Sequence, residues 1–298
     1  MAEKANMHIE PGKIISGCWR LHEWNKTKNE LLDFIEAACE LGITHFDHAD
    51  IYGDYGNEEL FGRALALQPG LRRKLFLISK CGIRLTSDKN PDLRVKHYDT
   101  SASHIRTSVD NSLRNLQTDY LDMLLIHRPD FLADPMEIAV LVRDLIHAGK
   151  IRQFGVSNFS PAQVDNLNAF LEEPISANQI EYSLLQMQAQ DDASLVHAQQ
   201  HRYRLQAWSP MAGGRLFDRR EAASERLHDP LKEIAHAHDT FASTIALAWL
   251  FRHPMPIDII VGTGKLERLR QAVAAKGIQL SREEWTLLWQ AARGREVA

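Results

Sequence analysis

Short apolar runs alternate with stretches of helical periodicity along nearly the whole chain, and that repeat limits the fold more than any other feature. The runs begin at Ile14, Ile43, Lys74, Leu121, Ile151, Ile175, Tyr203 and Ile259, so eight strands are predicted. Most lack in/out alternation, as expected for parallel strands buried on both faces. Helix signals fill the intervals. Thr27-Lys28-Asn29-Glu30 reads as a capping box ahead of Leu31, Phe34, Ile35 and Ala38, and Gly42 stops that helix. A helix is predicted over about 57–67, and Ile105, Val109, Leu113 and Leu116 line one face of the next. Asp134-Pro135 and Ser160-Pro161-Ala162-Gln163 open two more, each with cap and proline in its preferred place. Further helical segments fall near 191–200, 240–251 and 265–274, and Ser281-Arg282-Glu283-Glu284 begins the last.

Eight strands in alternation with helices and no linker-like composition predict an α/β fold: a single (β/α)8 TIM barrel covering residues 1–298 as one domain. The turn signal Glu10-Pro11-Gly12 between Met7–Ile9 and Ile14 predicts an N-terminal β-hairpin capping the bottom. An open doubly wound sheet would be expected to carry a glycine-rich phosphate loop after an early strand, and none stands there.

With 35 basic and 39 acidic residues, the chain has no broad positive field for a phosphate backbone, so no nucleic-acid partner is expected. The first residues lack the apolar core of a secretion signal, and no run of eighteen apolar residues occurs; a cytoplasmic protein without a membrane partner is the expectation. Cys18, Cys39 and Cys81 are odd in number and far apart, which suits a reducing compartment and argues against a thiolate metal site. His236 and His238 are two apart and share no helix face, so no metal is expected. Oligomeric state is not encoded in the strand pattern.

In a barrel the C-terminal ends of all strands meet at one mouth. Asp47, Lys80 and His127 each follow an apolar strand directly, with Tyr52 five residues beyond Asp47, and the four are expected to converge. A phenol has an ordinary pKa of about 10, and a nearby ammonium favours its ionised form. Lys80 can supply that charge if Asp47 holds it, while His127 can bond a carbonyl oxygen. Together they form the general-acid half of a carbonyl reduction. Tyr55 competes with Tyr52 on these grounds alone.

Ordered motifs now narrow the choice. Asp47-His48-Ala49-Asp50-Ile51-Tyr52-Gly53, Lys80 after a strand, and Leu121 to Pro129 are followed by Gly149-Lys150-Ile151-Arg152 and Gly155-Val156-Ser157-Asn158-Phe159. Asn178 to Tyr182, Ala207-Trp208-Ser209-Pro210 and Gly262-Thr263-Gly264-Lys265 complete the series. In this order the chain resembles the aldo-keto reductase superfamily, in particular its bacterial oxidoreductase-like members. The resemblance implies an NADPH/NADP+-dependent enzyme acting on a small-molecule carbonyl substrate, with Asp47, Tyr52, Lys80 and His127 as the catalytic tetrad and Tyr52 the acid. It implies that Ser157, Asn158 and Gln179 meet the carboxamide, that Trp208 stacks on the nicotinamide, and that Ser209 lies beside it. Gly262, Thr263, Gly264 and Lys265 then belong to the phosphate site, with Arg268 on the 2′-phosphate. An arginine fork suits a phosphate dianion.

Trp19, Arg20, His127 and Arg128 are expected to line the substrate side. Three departures from the family pattern stand out: Arg128 stands where an aromatic is usual, Gly262 where a lysine is usual, and Gln271-Ala272 where an acid-Asn pair is usual. These bear on cofactor affinity and on the preference for NADPH. The alternative function is an NADPH-binding sensor or regulatory subunit with little turnover.

Overall fold

The structure is a computed structural model that describes residues 11–298. Eight parallel strands close a barrel: β1 (Ile14–Gly17), β2 (His45–Asp47), β3 (Phe76–Cys81), β4 (Leu121–Ile126), β5 (Ile151–Ser157), β6 (Ala177–Glu181), β7 (Arg204–Trp208) and β8 (Ile257–Val261). Each pairs with its sequence neighbour, and β8 closes on β1 with Ile260 opposite Ile15. The predicted (β/α)8 barrel is therefore the observed one. The predicted bottom hairpin rests on Met7–Ile9, which lies outside the described residues.

Side-chain alternation divides the core in two. Ile15, Ile78, Met123, Leu125, Ala177 and Ile260 fill the barrel interior. The opposite strand faces join a larger cluster that includes Phe34 and Ile35 of helix Lys28–Glu40, Ile105 and Val109 of Ala102–Leu116, and Leu145 of Pro135–His147. Full burial of one such side chain contributes roughly 1.5–3 kcal/mol, so it is the helices' apolar faces that keep them against the sheet. Capping boxes form at Thr27, Ser160 and Ser281, and Asp134 accepts from the N–H groups of Met136 and Glu137.

Several elements depart from the sequence reading. Helix Ala222–Ala237 was not anticipated; Pro230 lies inside it, yet Leu227, Leu231 and Ile234 bury a continuous stripe. Apolar burial there outweighs the bond and the space that a mid-helix proline forfeits. The segment expected as a helix over 191–200 is a short turn of helix at Gln188–Asp191 followed by a helix over Ser194–His201. The polar loop after β3 carries a small antiparallel pair, Ile83–Arg84 with His97–Tyr98.

Candidate active site

Period-two alternation builds the mouth. On β3 the inward series runs from Ile78 to Lys80, and on β6 from Ala177 to Gln179, so an apolar interior gives way to polar residues at the strand ends. Register levels them across strands: Lys80 is opposite Leu125, Ser157 opposite Gln179, and Gln179 opposite Gln206.

Lys80 is the centre of the cluster. Its ammonium, almost fully buried, donates to Asp47 Oδ2 at 2.8 Å, to the His48 carbonyl at 2.8 Å and to the Tyr52 hydroxyl at 3.0 Å. Burial alone pushes the Lys80 pKa down, but Asp47 and Tyr52 more than offset it and the net direction is up. Tyr52 also shifts upward, because burial and the Asp47 charge outweigh the downward pull of Lys80. Burial is the largest cause and Asp47 offsets part of the ammonium's field, so Tyr52 is a protonated phenol near neutrality. His127 lies edge-on to Tyr52 with ring centres 5.8 Å apart. Burial, followed by the charges of Lys80, Arg128 and Lys96, holds its pKa well below the ordinary value, and the imidazole is neutral. Its Nδ1 is buried without a hydrogen-bond partner among the described residues, a rare condition for a polar atom.

Local backbone geometry decides between the two tyrosines. Gly53, Asp54 and Tyr55 all have positive φ, and this left-handed run turns Tyr55 away, so that its hydroxyl accepts from the Leu85 N–H at 2.9 Å. Gly53 is required there, since a Cβ would fall 2.0 Å from Asn57 Oδ1. Asn57, not singled out from sequence, is buried and donates to the carbonyls of Cys18 and Trp19 at 2.9 and 2.8 Å. It thereby ties the Tyr52 loop to the loop after β1.

The residues read as carboxamide contacts are bonded to one another and to the cluster. Gln179 Nε2 donates to Asp47 Oδ1 at 2.8 Å and to Gln206 Oε1 at 3.2 Å; Gln206 was another position missed from sequence because it lies within an apolar run. Ser157 Oγ donates to the Gln179 carbonyl, and Asn158 Nδ2 donates to Ser157 Oγ at 2.7 Å. Trp208 Nε1 donates to Asn158 Oδ1 at 3.1 Å, and the Arg128 guanidinium lies 5.7 Å from the Trp208 ring centre. Trp19 is exposed with Arg20 stacked on it at 4.9 Å. Ser209 has positive φ and starts the turn after β7.

The family model for the aldo/keto reductase family matches residues 13–293. The chain belongs to that family. It is thus an oxidoreductase of the carbonyl–alcohol class. This aldo/keto reductase is 44% identical over 290 residues to the uncharacterized oxidoreductase YcsN of Bacillus subtilis, covering 97% of each chain. It is 40% identical over 291 residues to a 6-dehydroglucose reductase of Agrobacterium fabrum, again covering 97% of each. A crystal structure of an aldo/keto reductase from Klebsiella pneumoniae in complex with NADP and acetate superposes with a TM-score of 0.74 at 30% identity, covering 94% of this chain and 90% of that one.

The reductase's other polar region follows β8. Helix Leu266–Ala274 has no side-chain cap, unlike the helices that start after Thr27, Ser101, Asp134, Ser160 and Ser281. Lys265 and Arg268 at its start are exposed, and the Arg268 N–H donates to the Lys265 carbonyl at 3.1 Å. Arg270 is drawn to Glu267, whereas Arg268 forms no ion pair among the described residues. Thr263 Oγ1 accepts from the Lys265 N–H, and a Cβ on Gly262 would meet nothing tighter than the Gly17 carbonyl oxygen at 3.8 Å. At Gly264 a Cβ would meet the Trp24 ring at 2.6 Å, so its smallness serves packing there.

Proposed function

We propose that the protein reduces small aldehydes or ketones to alcohols with NADPH. The observation that carries this reading is the Tyr52 hydroxyl held 3.0 Å from the buried Lys80 ammonium, itself paired with Asp47 at 2.8 Å. The helix start without a side-chain cap, with Arg268 in no ion pair among the described residues, suits a phosphate dianion, and Arg268 and Lys265 would hold the 2′-phosphate. Trp208 would pack against the nicotinamide, with Ser157, Asn158 and Gln179 on its carboxamide. When bound, the dinucleotide supplies the hydride.

The chain's own work is proton delivery and charge stabilisation. A carbonyl oxygen that gains alkoxide character takes the proton from Tyr52 Oη, which burial has kept on the phenol. Lys80 Nζ stabilises the phenolate left behind, and Asp47 keeps that ammonium aimed. Neutral His127 offers a hydrogen bond to the same carbonyl oxygen. Trp19, Arg20 and Arg128 would set which carbonyl compounds enter.

The test is Tyr52→Phe, assayed by NADPH oxidation over a panel of aldehydes, quinones, α-dicarbonyls and 6-dehydroglucose. Turnover is expected to fall by about 10²–10⁴-fold, the span of one general acid, while NADPH still quenches protein fluorescence at nearly the same concentration. Unchanged turnover would remove Tyr52 from the role. A wild-type protein that binds NADPH but turns over none of the panel would instead be the sensor or regulatory subunit.

A further inference from the structure

A second constellation of chemistry-bearing side chains lies outside the barrel, on two of its helices. Asp165 belongs to helix Pro161–Asn168, and His197 and His201 lie on helix Ser194–His201. Four residues apart, the histidines share one helical face. His197 Nε2 is 2.9 Å from Asp165 Oδ1, His201 Nε2 is 3.8 Å from the same oxygen, and one ligand atom from each residue lies within 4.8 Å of the others. We propose that Asp165, His197 and His201 bind one divalent transition-metal ion of the zinc type.

The geometry favours a shared cation over a simple ion pair. Two imidazoles converge on one carboxylate oxygen, their ring centres 4.2 Å apart. Only His197 is close enough to hydrogen-bond that oxygen; His201 approaches it without bonding. Zinc with bonds of about 2.0–2.1 Å in a tetrahedral arrangement needs neighbouring ligand atoms about 3.3 Å apart, and the two distances to Asp165 bracket that value. Small rotations of the exposed Asp165 and His201 side chains would bring all three into place, while His197, nearly buried, supplies the fixed ligand.

Support beyond the three ligands is already present. His197 Nδ1 lies 3.0 Å from the Tyr203 hydroxyl, which can donate to a bare Nδ1 or accept from Nδ1–H. When the metal displaces the proton on Nε2, the ring's other nitrogen therefore keeps a partner and its orientation. His201 is the last residue of its helix, where the backbone dipole favours a cation. Two imidazoles and one carboxylate suit zinc and its neighbours, and two nitrogen donors disfavour calcium and magnesium. The site takes three protein ligands and water, and clamps one outer helix to the next.

The experiment uses untagged full-length protein titrated with Co2+, whose visible absorption reports tetrahedral coordination, followed by displacement with Zn2+. One Co2+ per chain is expected in the wild type, with affinity at least about tenfold weaker in both Asp165→Asn and His201→Gln, while carbonyl reduction is unchanged. A second measurement needs no variant: mass-spectrometric mapping of histidines modified by diethyl pyrocarbonate. Zn2+ should protect His201 in the wild type and leave exposed His147 reactive. Equal Co2+ affinity in the wild type and His201→Gln, or a His201 that Zn2+ leaves as reactive as His147, would overturn the proposal.

Discussion

Both ends of the barrel bury ion pairs, but they are built to different standards. At the N-terminal end of the strands, Arg72 donates to Asp122 Oδ2 at 2.8 Å, and its other N–H groups reach Thr118 Oγ1 and the carbonyls of Leu75 and Tyr120. Asp122 also accepts from the Leu77 N–H, and the guanidinium stacks 3.9 Å from the Tyr120 ring centre. Nearby, Arg204 pairs with Asp258, which also caps the Lys13 N–H. At the C-terminal end, Lys80 and Asp47 are equally well bonded, yet beside them His127 Nδ1 has no partner among the described residues and Tyr52 is only half-buried. A saturated network fixes structure; one with an unsatisfied member and an open side can engage a ligand.

The contrast breaks down if the two ends respond alike to losing their cation. In the largest expected effect, Lys80→Met lowers turnover by about a thousandfold, about 4 kcal/mol of transition-state stabilisation, as measured by steady-state NADPH oxidation. Arg72→Ala, by contrast, should cost about 3 kcal/mol of folding stability in urea denaturation, because it strands a buried carboxylate, while the rate per folded molecule is retained. A Lys80→Met variant that keeps its rate, or an Arg72→Ala variant that keeps its stability, would reverse the assignment of the two ends.

The smallest expected effect sharpens the comparison through pH. Burial, assisted by Lys80, holds His48 at about 3 against an ordinary 6.5. The unfolded chain therefore binds a proton below 6.5 that the folded chain refuses. The stability contribution of neutral His48 is fully present above pH 6.5 and is lost as pH falls toward about 3. His48→Leu should flatten the pH dependence of the urea midpoint by one proton, about 1.4 kcal/mol per pH unit, relative to the wild type in that window. Parallel curves would mean that His48 is protonated in the folded protein.

What sequence could disclose depended on whether a residue's surroundings are local. Asp47, Lys80 and His127 were legible because each ends an apolar strand, and a barrel brings all strand ends together. Strand-end placement alone could not separate Tyr52 from Tyr55, which the left-handed turn at Gly53-Asp54-Tyr55 parts; in the sequence only the family resemblance chose between them. Gln206 was hidden inside its strand, and Asn57 looked like a helix start; both act through partners distant in sequence. The i,i+4 spacing of His197 and His201 was readable in principle, but Asp165 stands 32 residues before His197 and only folding joins them. Helix Ala222–Ala237 was obscured by Pro230 although its apolar spacing was present.

Asn57 gives the mouth one further property. Because a single buried amide spans the carbonyls of Cys18 and Trp19 and presses against Gly53, the rim carrying Trp19 and the turn carrying Tyr52 form one mechanical unit. Widening the entrance at Trp19 by shifting its backbone would drag the phenol off its lysine. On the proposed reading, in which Trp19 meets the substrate, new preferences are open to side-chain exchange on that rim and closed to insertion or deletion within it.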